Sequence, residues 1–344
     1  MPPHPPPPLI PGLTVLERGW LSSNSVLVHE PDGGPAALID SGHVTHATQT
    51  VALVHQALVH QALAQAADST RRGLGGALQH GDGAAPASGR AAPLGRLLNT
   101  HLHSDHCGGN AALQRAFAGL EVVIPPGGWD AVQAWDEEVL GHRPLGQRCE
   151  RFTAQARIAP GETVHLGGRP WAVLAAPGHD PQAVMFFDPL HGLLVAGDAL
   201  WEDGFGVVFP ELMGEPGFDD VAAVLEAIER LPVCQVVPGH GAPFTDVAGA
   251  LARARRRLAG LRADPARQRR HAAKVLVKYH LMEEREQAQA ALAQWAADTP
   301  FLARLFAAEG FRHATDPVDW CRRIVDQLVE SGALALRDGV VHDA

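Results

Sequence analysis

The chain has 344 residues, of which 46% are hydrophobic, and its formal net charge is -10. That size allows one large hydrophobic core, or one large core and a small one, and the negative charge argues against a nucleic-acid binder as a whole. The four cysteines lie far apart and form no C-x-x-C pair, which argues against a disulfide scaffold and a structural zinc knuckle.

Residues 1–12 are rich in proline and are predicted to form an extended N-terminal arm. They lack the basic start and the long apolar stretch of a secretory signal. No apolar run approaches the ~20 residues that a helix needs to cross a bilayer. We therefore expect a cytoplasmic protein without a membrane partner.

The first elements are β-rich. Residues 13–40 predict a meander of strands, and residues 44–67 predict a helix rich in alanine, leucine and glutamine. Residues 68–93 are rich in glycine, alanine, proline and serine and have no apolar period, so we predict a flexible surface insertion. A buried strand is predicted over 94–100.

Helices and strands alternate through the next 140 residues. Helices are predicted over 110–118, 127–140 and 219–231, and strands over 120–124, 162–166, 170–176, 184–187, 192–196 and 235–237. This alternation, with hairpins mixed in, predicts an α/β sandwich of mixed sheets.

After residue 245 the pattern becomes helical. Helices are predicted over 247–262, 266–279, 283–297 and 317–331, and Asp338-Gly339 between apolar pairs predicts a terminal hairpin. Helices followed by a hairpin resemble a small winged-helix unit. We therefore predict a helical, winged-helix-like C-terminal domain over 247–344.

The strongest chemical signal is the sequence Thr-His-Leu-His-Ser-Asp-His at positions 100–106, just past a predicted buried strand. A loop there can turn His101 and His103 toward one metal ion, and Asp105 and His106 toward another. Imidazole and carboxylate ligands together favour zinc, with iron or manganese as alternatives.

Three further candidate ligands also lie at turns that end predicted strands. They are His179 after Pro177-Gly178, Asp198 after Gly197, and His240 after Pro238-Gly239. Glycine permits positive φ and a close backbone approach, as a metal-binding loop needs. Together with the cluster at 101–106, these sites predict a metal centre.

These motifs resemble the metallo-β-lactamase fold superfamily, the glyoxalase II-like hydrolases, over about residues 13–245. The resemblance implies a four-layer αβ/βα sandwich of two mixed β-sheets flanked by helices, over 13–246. It also implies two metal ions. His101, His103 and His179 would hold one ion, Asp105, His106 and His240 would hold the second, and Asp198 would bridge the two.

The physical chemistry of this ligand set fits hydrolysis. Two ions ~3.5–4 Å apart can share a hydroxide, because metal binding lowers the pKa of the water toward ~7. Asp105 and Asp198 would offset the charge of the cations and serve as the catalytic carboxylates. No serine or cysteine nucleophile is required.

The ligand identities narrow the activity that the resemblance implies. The bridging Asp198 argues against a true β-lactamase. His103 stands where the diiron oxygen reductases of the family carry glutamate, which argues against an oxygen reductase. A dinuclear hydrolase of a thioester or ester is favoured. A phosphodiesterase or ribonuclease remains open, as does a mononuclear iron sulfur dioxygenase that needs only His101, His179 and Asp198.

The partners follow from the remaining features. We expect a small-molecule substrate, with Trp201 and Phe205 lining its pocket because they closely follow Asp198. Residues 253–278 contain ten Lys or Arg and one Asp. We interpret this basic segment as a solvated helix face. Nucleic acid is the less favoured partner, and it would bind to this segment. A homodimer is compatible with the sequence.

Overall fold

The computed structural model describes residues 10–75, 92–309 and 316–344. Most of the predicted arm, residues 1–9, and most of the predicted insertion, residues 76–91, lie outside the described residues. Within the described part of the chain, no helix has both the length and the apolar character needed to span a bilayer.

The first sheet has six strands in chain order. They are β1 Leu13–Leu16, β2 Ser25–Val28, β3 Ala36–Ile39, β4 Leu94–Leu98, β5 Glu121–Ile124 and β6 Ala156–Arg157. The first three strands pair antiparallel, and β3 to β6 pair parallel. The sheet is therefore mixed, as predicted.

The second sheet has five strands, in the order β11-β10-β9-β8-β7. They are β7 Thr163–Leu166, β8 Arg169–Ala175, β9 Val184–Asp188, β10 Leu193–Gly197 and β11 Gln235–Pro238. The pairs are antiparallel except β10 with β11, which is parallel. Strands β8, β10 and β11 therefore run in one direction, and their carboxyl ends lie at one edge.

Alternation along the strands builds the layers, because successive side chains point to opposite faces of a sheet. Ile39 and Leu98 face the second sheet and pack in one cluster with Trp171 and Phe186. Side chains next to them along the strands point to the outer face of the first sheet. Leu38 is one of these, and it packs against the helices on that face. Both faces of each sheet are thus buried.

Helices cover the two outer faces. The helices on the first sheet are α1 Ala47–Gly75, α2 Ser104–Cys107, α3 Asn110–Ala116 and α4 Trp129–Ala134. A short helix, α5 Phe209–Leu212, comes next along the chain. The helices on the second sheet are α6 Gly217–Arg230 and α7 Val247–Ala263. This arrangement confirms the predicted four-layer sandwich of two mixed sheets flanked by helices.

A helical region with a small sheet completes the chain. Its elements are α8 Pro265–Glu284, β12 Glu286–Ala288, α9 Gln289–Asp298, α10 Pro300–Glu309, α11 Pro317–Glu330, β13 Leu334–Arg337 and β14 Val340–Asp343. Strand β14 pairs with both β12 and β13, which confirms the predicted hairpin. Helix α7 packs on the second sheet, whereas α8 begins the C-terminal cluster. The division of the chain at residue 246 and the winged-helix description stay predictions.

Several predicted elements have the wrong limits. Helix α1 continues to Gly75, so the predicted loop is wrong for residues 68–75. The predicted helix over 127–140 ends early, because Trp135 adopts the left-handed conformation at φ 56°. The predicted helix over 283–297 is interrupted by a strand that pairs with β14, and α10 lies outside every predicted helix.

Candidate metal centre

Four loops bring the seven predicted ligands to one edge of the sandwich. His101, His103, Asp105 and His106 follow β4 of the first sheet, His179 follows β8, Asp198 follows β10 and His240 follows β11. All of them except the partly exposed His103 are buried. The sandwich therefore joins residues that lie up to 139 positions apart in the sequence.

The seven residues form two groups that could each hold a metal ion. The first group is His101, His103 and His179, and the second is Asp105, His106, Asp198 and His240. Within each group, one potential ligand atom per residue lies within 4.8 Å of the others. The resemblance implies the same division of the five histidines and Asp105, but it sets Asp198 apart as a bridge, whereas the distances group Asp198 with Asp105, His106 and His240.

Asp198 lies between the two groups. Its Oδ2 is 3.3 Å from Nε2 of His179 in the first group. Its Oδ1 is 3.3 Å from Nε2 of His106 and 3.8 Å from Nε2 of His240, both in the second group. The indole Nε1 of Trp201 donates a hydrogen bond of 3.2 Å to the same Oδ1. Each carboxylate oxygen thus faces a different group, so the Asp198 carboxylate could bridge two metal ions.

Glycines permit this close convergence. Gly178, which precedes His179, has φ 126°, a conformation that side chains rarely adopt. A Cβ atom at Gly239, which precedes His240, would lie 2.2 Å from Oδ1 of Asp198. Both positions confirm the expectation that glycine beside the ligand serves backbone geometry.

The ring nitrogens of the histidines fit a metal site. Nε2 of His101 is buried and has no hydrogen-bond partner among the described residues, and Nε2 of His106 is buried and faces Oδ1 of Asp198 at 3.3 Å. Nδ1 of His179 donates to the carbonyl of Val207 at 2.6 Å, which leaves Nε2 for the centre. A buried polar nitrogen without a partner costs free energy, and a bound cation would remove that cost. The residues present therefore fit a divalent metal ion.

Charge in the second group also favours a cation. Burial raises the pKa of Asp198, but His106 and His240 outweigh burial and hold this pKa well below its usual range. Burial lowers the pKa of His106, but the carboxylates of Asp198 and Asp40 outweigh burial and raise it well above its usual value. The buried carboxylates thus attract positive charge, which divalent cations carry.

The first group is electrically neutral near pH 7. Burial lowers the pKa of His103 and of His179 to about 4, and it lowers the pKa of His101 well below its usual value. Nδ1 of His103 lies 2.7 Å from Nε2 of His179. Neutral imidazole is the form of histidine that binds metals.

Asp40 contacts the candidate site and was missed by the sequence reasoning. It follows β3 with φ 59°, and its Oδ2 accepts hydrogen bonds from Nδ1 of His106 at 2.8 Å and from the Thr100 hydroxyl at 2.7 Å. The Thr100 amide donates to its Oδ1 at 2.8 Å. Asp40 thereby fixes the ring of His106 with Nε2 toward Asp198. Its position at a strand end, like that of the ligands, is the signal that could have found it.

A third group of potential ligands lies beside the first two. Cys107, His142 and Cys149 offer ligand atoms within 4.8 Å of one another, and the two sulfurs are 3.8 Å apart. Burial raises the pKa of the Cys107 thiol well above its usual value, with Cys149 adding to the shift. A metal ion bound here would have to displace the proton of the Cys107 thiol, because the thiolate is the form that binds metals.

A cavity of about 520 Å³ opens onto the centre. Its wall includes Trp201, whose ring lies 5.5 Å from those of Trp20 and His240, and residues of α7 and α8. Phe205 is placed differently from its prediction. Its side chain is buried in the core against the second sheet, below the guanidinium of Arg257, and does not line this cavity.

Comparison with known families agrees with this geometry. The sequence profile described as the metallo-beta-lactamase superfamily matches residues 18–265. A metallo-beta-lactamase family protein from Thermus thermophilus has a TM-score of 0.51 at 18% identity, over 97% of this chain and 99% of that one. A metallo-beta-lactamase from Cronobacter sakazakii has a TM-score of 0.51 at 20% identity, over 77% and 98%. At these identities the structures support the fold alone.

Curated relatives match part of the chain. A hydroxyacylglutathione hydrolase from Hyphomonas neptunium is 30% identical over 142 residues, which is 40% of this chain and 44% of that protein. An acyl-coenzyme A thioesterase from Homo sapiens is 26% identical over 151 residues, 41% of this chain and 54% of that protein. The chain thus spans about half the length of these two relatives.

Proposed function

Because the chain belongs to the metallo-beta-lactamase superfamily and is a metal-dependent hydrolase, we propose that it hydrolyses a thioester with two divalent cations, zinc in the first instance. We assign one cation to the first group and the other to the second group, with Asp198 shared between them. The position of Asp198, with one oxygen toward His179 and the other toward His106, carries the proposal.

The chain's own residues prepare this chemistry. When bound, a pair of divalent cations supplies an activated water near neutral pH and polarises the scissile carbonyl. Asp40 and the Val207 carbonyl orient the rings of His106 and His179 through their Nδ1 atoms. Trp201 holds the Asp198 carboxylate through its indole N–H. These contacts fix the ligands before substrate arrives, which lowers the cost of assembling the site.

Two arguments favour a thioester over other substrates. A hydroxyacylglutathione hydrolase and an acyl-coenzyme A thioesterase are among the relatives, and in both substrates the acyl carrier is a thiol. A thiol has a pKa of about 8.5, so a thiolate leaves near neutral pH without a dedicated proton donor. An amine or an alkoxide leaving group needs one.

The basic segment gives less support to a phosphodiester substrate. Half of its ten cations form ion pairs with carboxylates: Arg253 with Asp203 and Asp246, Arg255 with Glu229, Arg262 with Asp219, Arg270 with Asp264, and Lys278 with Asp343. These pairs reduce the charge available to a nucleic-acid backbone, where affinity comes from free cations.

The test is turnover by zinc-loaded protein on matched thioester, ester, lactone and bis-p-nitrophenyl phosphate substrates. We expect the highest kcat/KM on thioesters, and loss of activity when a chelator removes the metal. Asp198→Asn should lower kcat/KM by at least ~100-fold, because it removes the shared carboxylate.

Asp203→Asn is the matched control. Asp203 is 86% exposed in the loop that follows Asp198, and the change removes the same charge. It should leave kcat/KM within about twofold of wild type. Protein that holds two zinc ions and turns over none of the thioesters would contradict the proposal. Preferential cleavage of the phosphodiester would identify the protein as a phosphodiesterase instead.

A further inference from the structure

Two cysteines that are distant in the sequence become neighbours in the fold. Cys107 ends α2, directly after the candidate ligand His106, and Cys149 lies in the segment between α4 and β6. Their sulfur atoms are 3.8 Å apart although 42 positions separate the two residues, and both thiols are free. The proposed hydrolysis uses neither of them. The pair is therefore a reactive group whose chemistry is still unassigned.

The two thiols differ in their access to solvent. Cys107 is fully buried, whereas Cys149 is half-buried and lines a surface pocket of about 500 Å³. A pocket of that size admits a small oxidant such as a peroxide, which would therefore meet Cys149 first. An accessible cysteine with a second cysteine beside it is the arrangement typical of redox-sensitive sites, where the second thiol resolves the oxidised first one.

The surroundings of the pair allow a bond between the two sulfurs. A disulfide bond is about 2.05 Å long, so the sulfurs would have to approach by about 1.8 Å. Cys149 belongs to neither a helix nor a strand, so its segment can take up part of this movement. The Cys107 thiol donates to the Leu102 carbonyl at 3.3 Å, and oxidation removes that donor. Nε2 of His142, 3.1 Å from the same oxygen, keeps the carbonyl hydrogen-bonded.

The pair lies between a helix that carries metal ligands and the wall of the cavity. Helix α2 contains Asp105 and His106 of the second group and ends at Cys107. At its other end, the Ser104 hydroxyl donates at 3.0 Å to Oε1 of Gln147, which lines the cavity. Site residues must be held within ~0.5 Å, and a third of the required approach, about 0.6 Å, already exceeds that tolerance. A bond to Cys107 would therefore disturb the second group.

We propose that a peroxide oxidises Cys149 and Cys107 to an intrachain disulfide, and that this bond weakens metal binding by the second group. The Cys149 sulfur attacks the peroxide, the O–O bond breaks, one oxygen leaves as water with the thiol proton, and Cys149 becomes a sulfenic acid. The Cys107 sulfur then attacks that sulfur, and the hydroxyl leaves as water with the Cys107 proton. The two thiols lose two electrons and the peroxide gains them. This inference does not rest on the proposed thioester hydrolysis.

The first test maps the disulfide in wild-type protein. Zinc-loaded protein is exposed to hydrogen peroxide, its remaining thiols are alkylated, and a digest is analysed by mass spectrometry without reduction. We expect one linked peptide pair that contains Cys107 and Cys149, lighter than its two parts by the mass of two hydrogen atoms. A phosphine reductant should separate the pair again, because a disulfide is reversible where sulfinic acid is not.

The second test measures zinc affinity before and after oxidation by competition with a chromophoric chelator. In wild-type protein, peroxide should weaken zinc binding at the second group by at least threefold, and the phosphine should restore it. Cys149→Ser should form no disulfide and keep its zinc affinity after peroxide. Cys234→Ser is the matched control, because Cys234 is exposed and its thiol lies 3.8 Å from the Pro232 carbonyl, away from the pair. It should respond to peroxide as wild type does.

Several results would overturn the inference. Wild-type protein that yields no linked peptide would do so, as would a disulfide that forms only between two copies of the chain, or zinc bound by the two thiols in place of their oxidation. An equal loss of zinc affinity in Cys149→Ser would show that peroxide acts elsewhere. A disulfide that leaves zinc affinity unchanged would contradict the coupling to the second group. Should Cys149→Ser fold poorly, the peptide map and the phosphine reversal in wild type still decide.

Discussion

Asp40→Asn is expected to weaken one of the two metal sites without unfolding the protein. The wild-type carboxylate accepts from His106 Nδ1 and from the hydroxyl and amide of Thr100. The asparagine oxygen can keep the amide bond, which turns the NH2 group toward His106. Because that group only donates, Nδ1 must become the acceptor and the ring proton moves to Nε2. Nε2 is the atom that faces Asp198, so it is blocked as a ligand.

The magnitude follows from the hydrogen bond between Asp40 and His106. A hydrogen bond to a charged group contributes about 1.5–3 kcal/mol, and removal of an outer partner of a metal ligand costs about 10- to 100-fold in metal affinity. We therefore expect zinc to bind the second group about 10- to 100-fold more weakly, about 1.4–2.8 kcal/mol. The first group should change by less than threefold. Competition with a chromophoric chelator, which resolves two binding steps, measures both.

Asp188→Asn is the matched control for this prediction. Asp188 is fully buried and accepts from Nδ1 of His191 at the same 2.8 Å, but it ends β9 at the opposite edge of the second sheet. The control should lower the melting temperature and leave both zinc affinities unchanged. Wild-type zinc affinity in Asp40→Asn, or equal losses in the two variants, would refute the reasoning.

Three further substitutions probe the site and the core. Gly206→Ala places a Cβ 2.4 Å from Nδ1 of His179, so we expect at least a tenfold loss of zinc affinity at the first group in the same chelator competition. Trp201→Phe removes the donor to Asp198 and keeps an aromatic ring, so steady-state kinetics should show kcat reduced by about 3- to 30-fold with two zinc ions retained. Trp171→Ala empties a fully buried position between the sheets, and denaturant unfolding should show a loss of about 3–5 kcal/mol; a loss below ~1 kcal/mol would contradict the packing described.

The candidate ligands could be identified from the sequence because a metal centre requires a local pattern of residue types. His101, His103, Asp105 and His106 follow a buried strand within six positions, and the later ligands each follow glycine at a strand end. Both features involve residues that are close together in the chain, so they can be recognised in a single sequence. The sandwich then brings the four loops together, as alternating buried strands and helices predict.

Residues that act through a tertiary contact left no such pattern. Asp40 acts by accepting a ring N–H from His106, which lies 66 positions away in the sequence. Residues 286–288 have helical composition and become strand β12 because β14 offers a partner. Phe205 follows Asp198 closely, but the backbone turns its ring into the core.

The central claim, two cations held by two groups that share Asp198, is tested most directly by anomalous diffraction from crystals of zinc-loaded protein, with elemental analysis of the same sample. The account predicts two zinc ions per chain and two peaks ~3.5–4 Å apart, one at each group, with an oxygen of Asp198 at both. A single iron per chain in protein as isolated would contradict it, and so would zinc peaks found only at Cys107, His142 and Cys149.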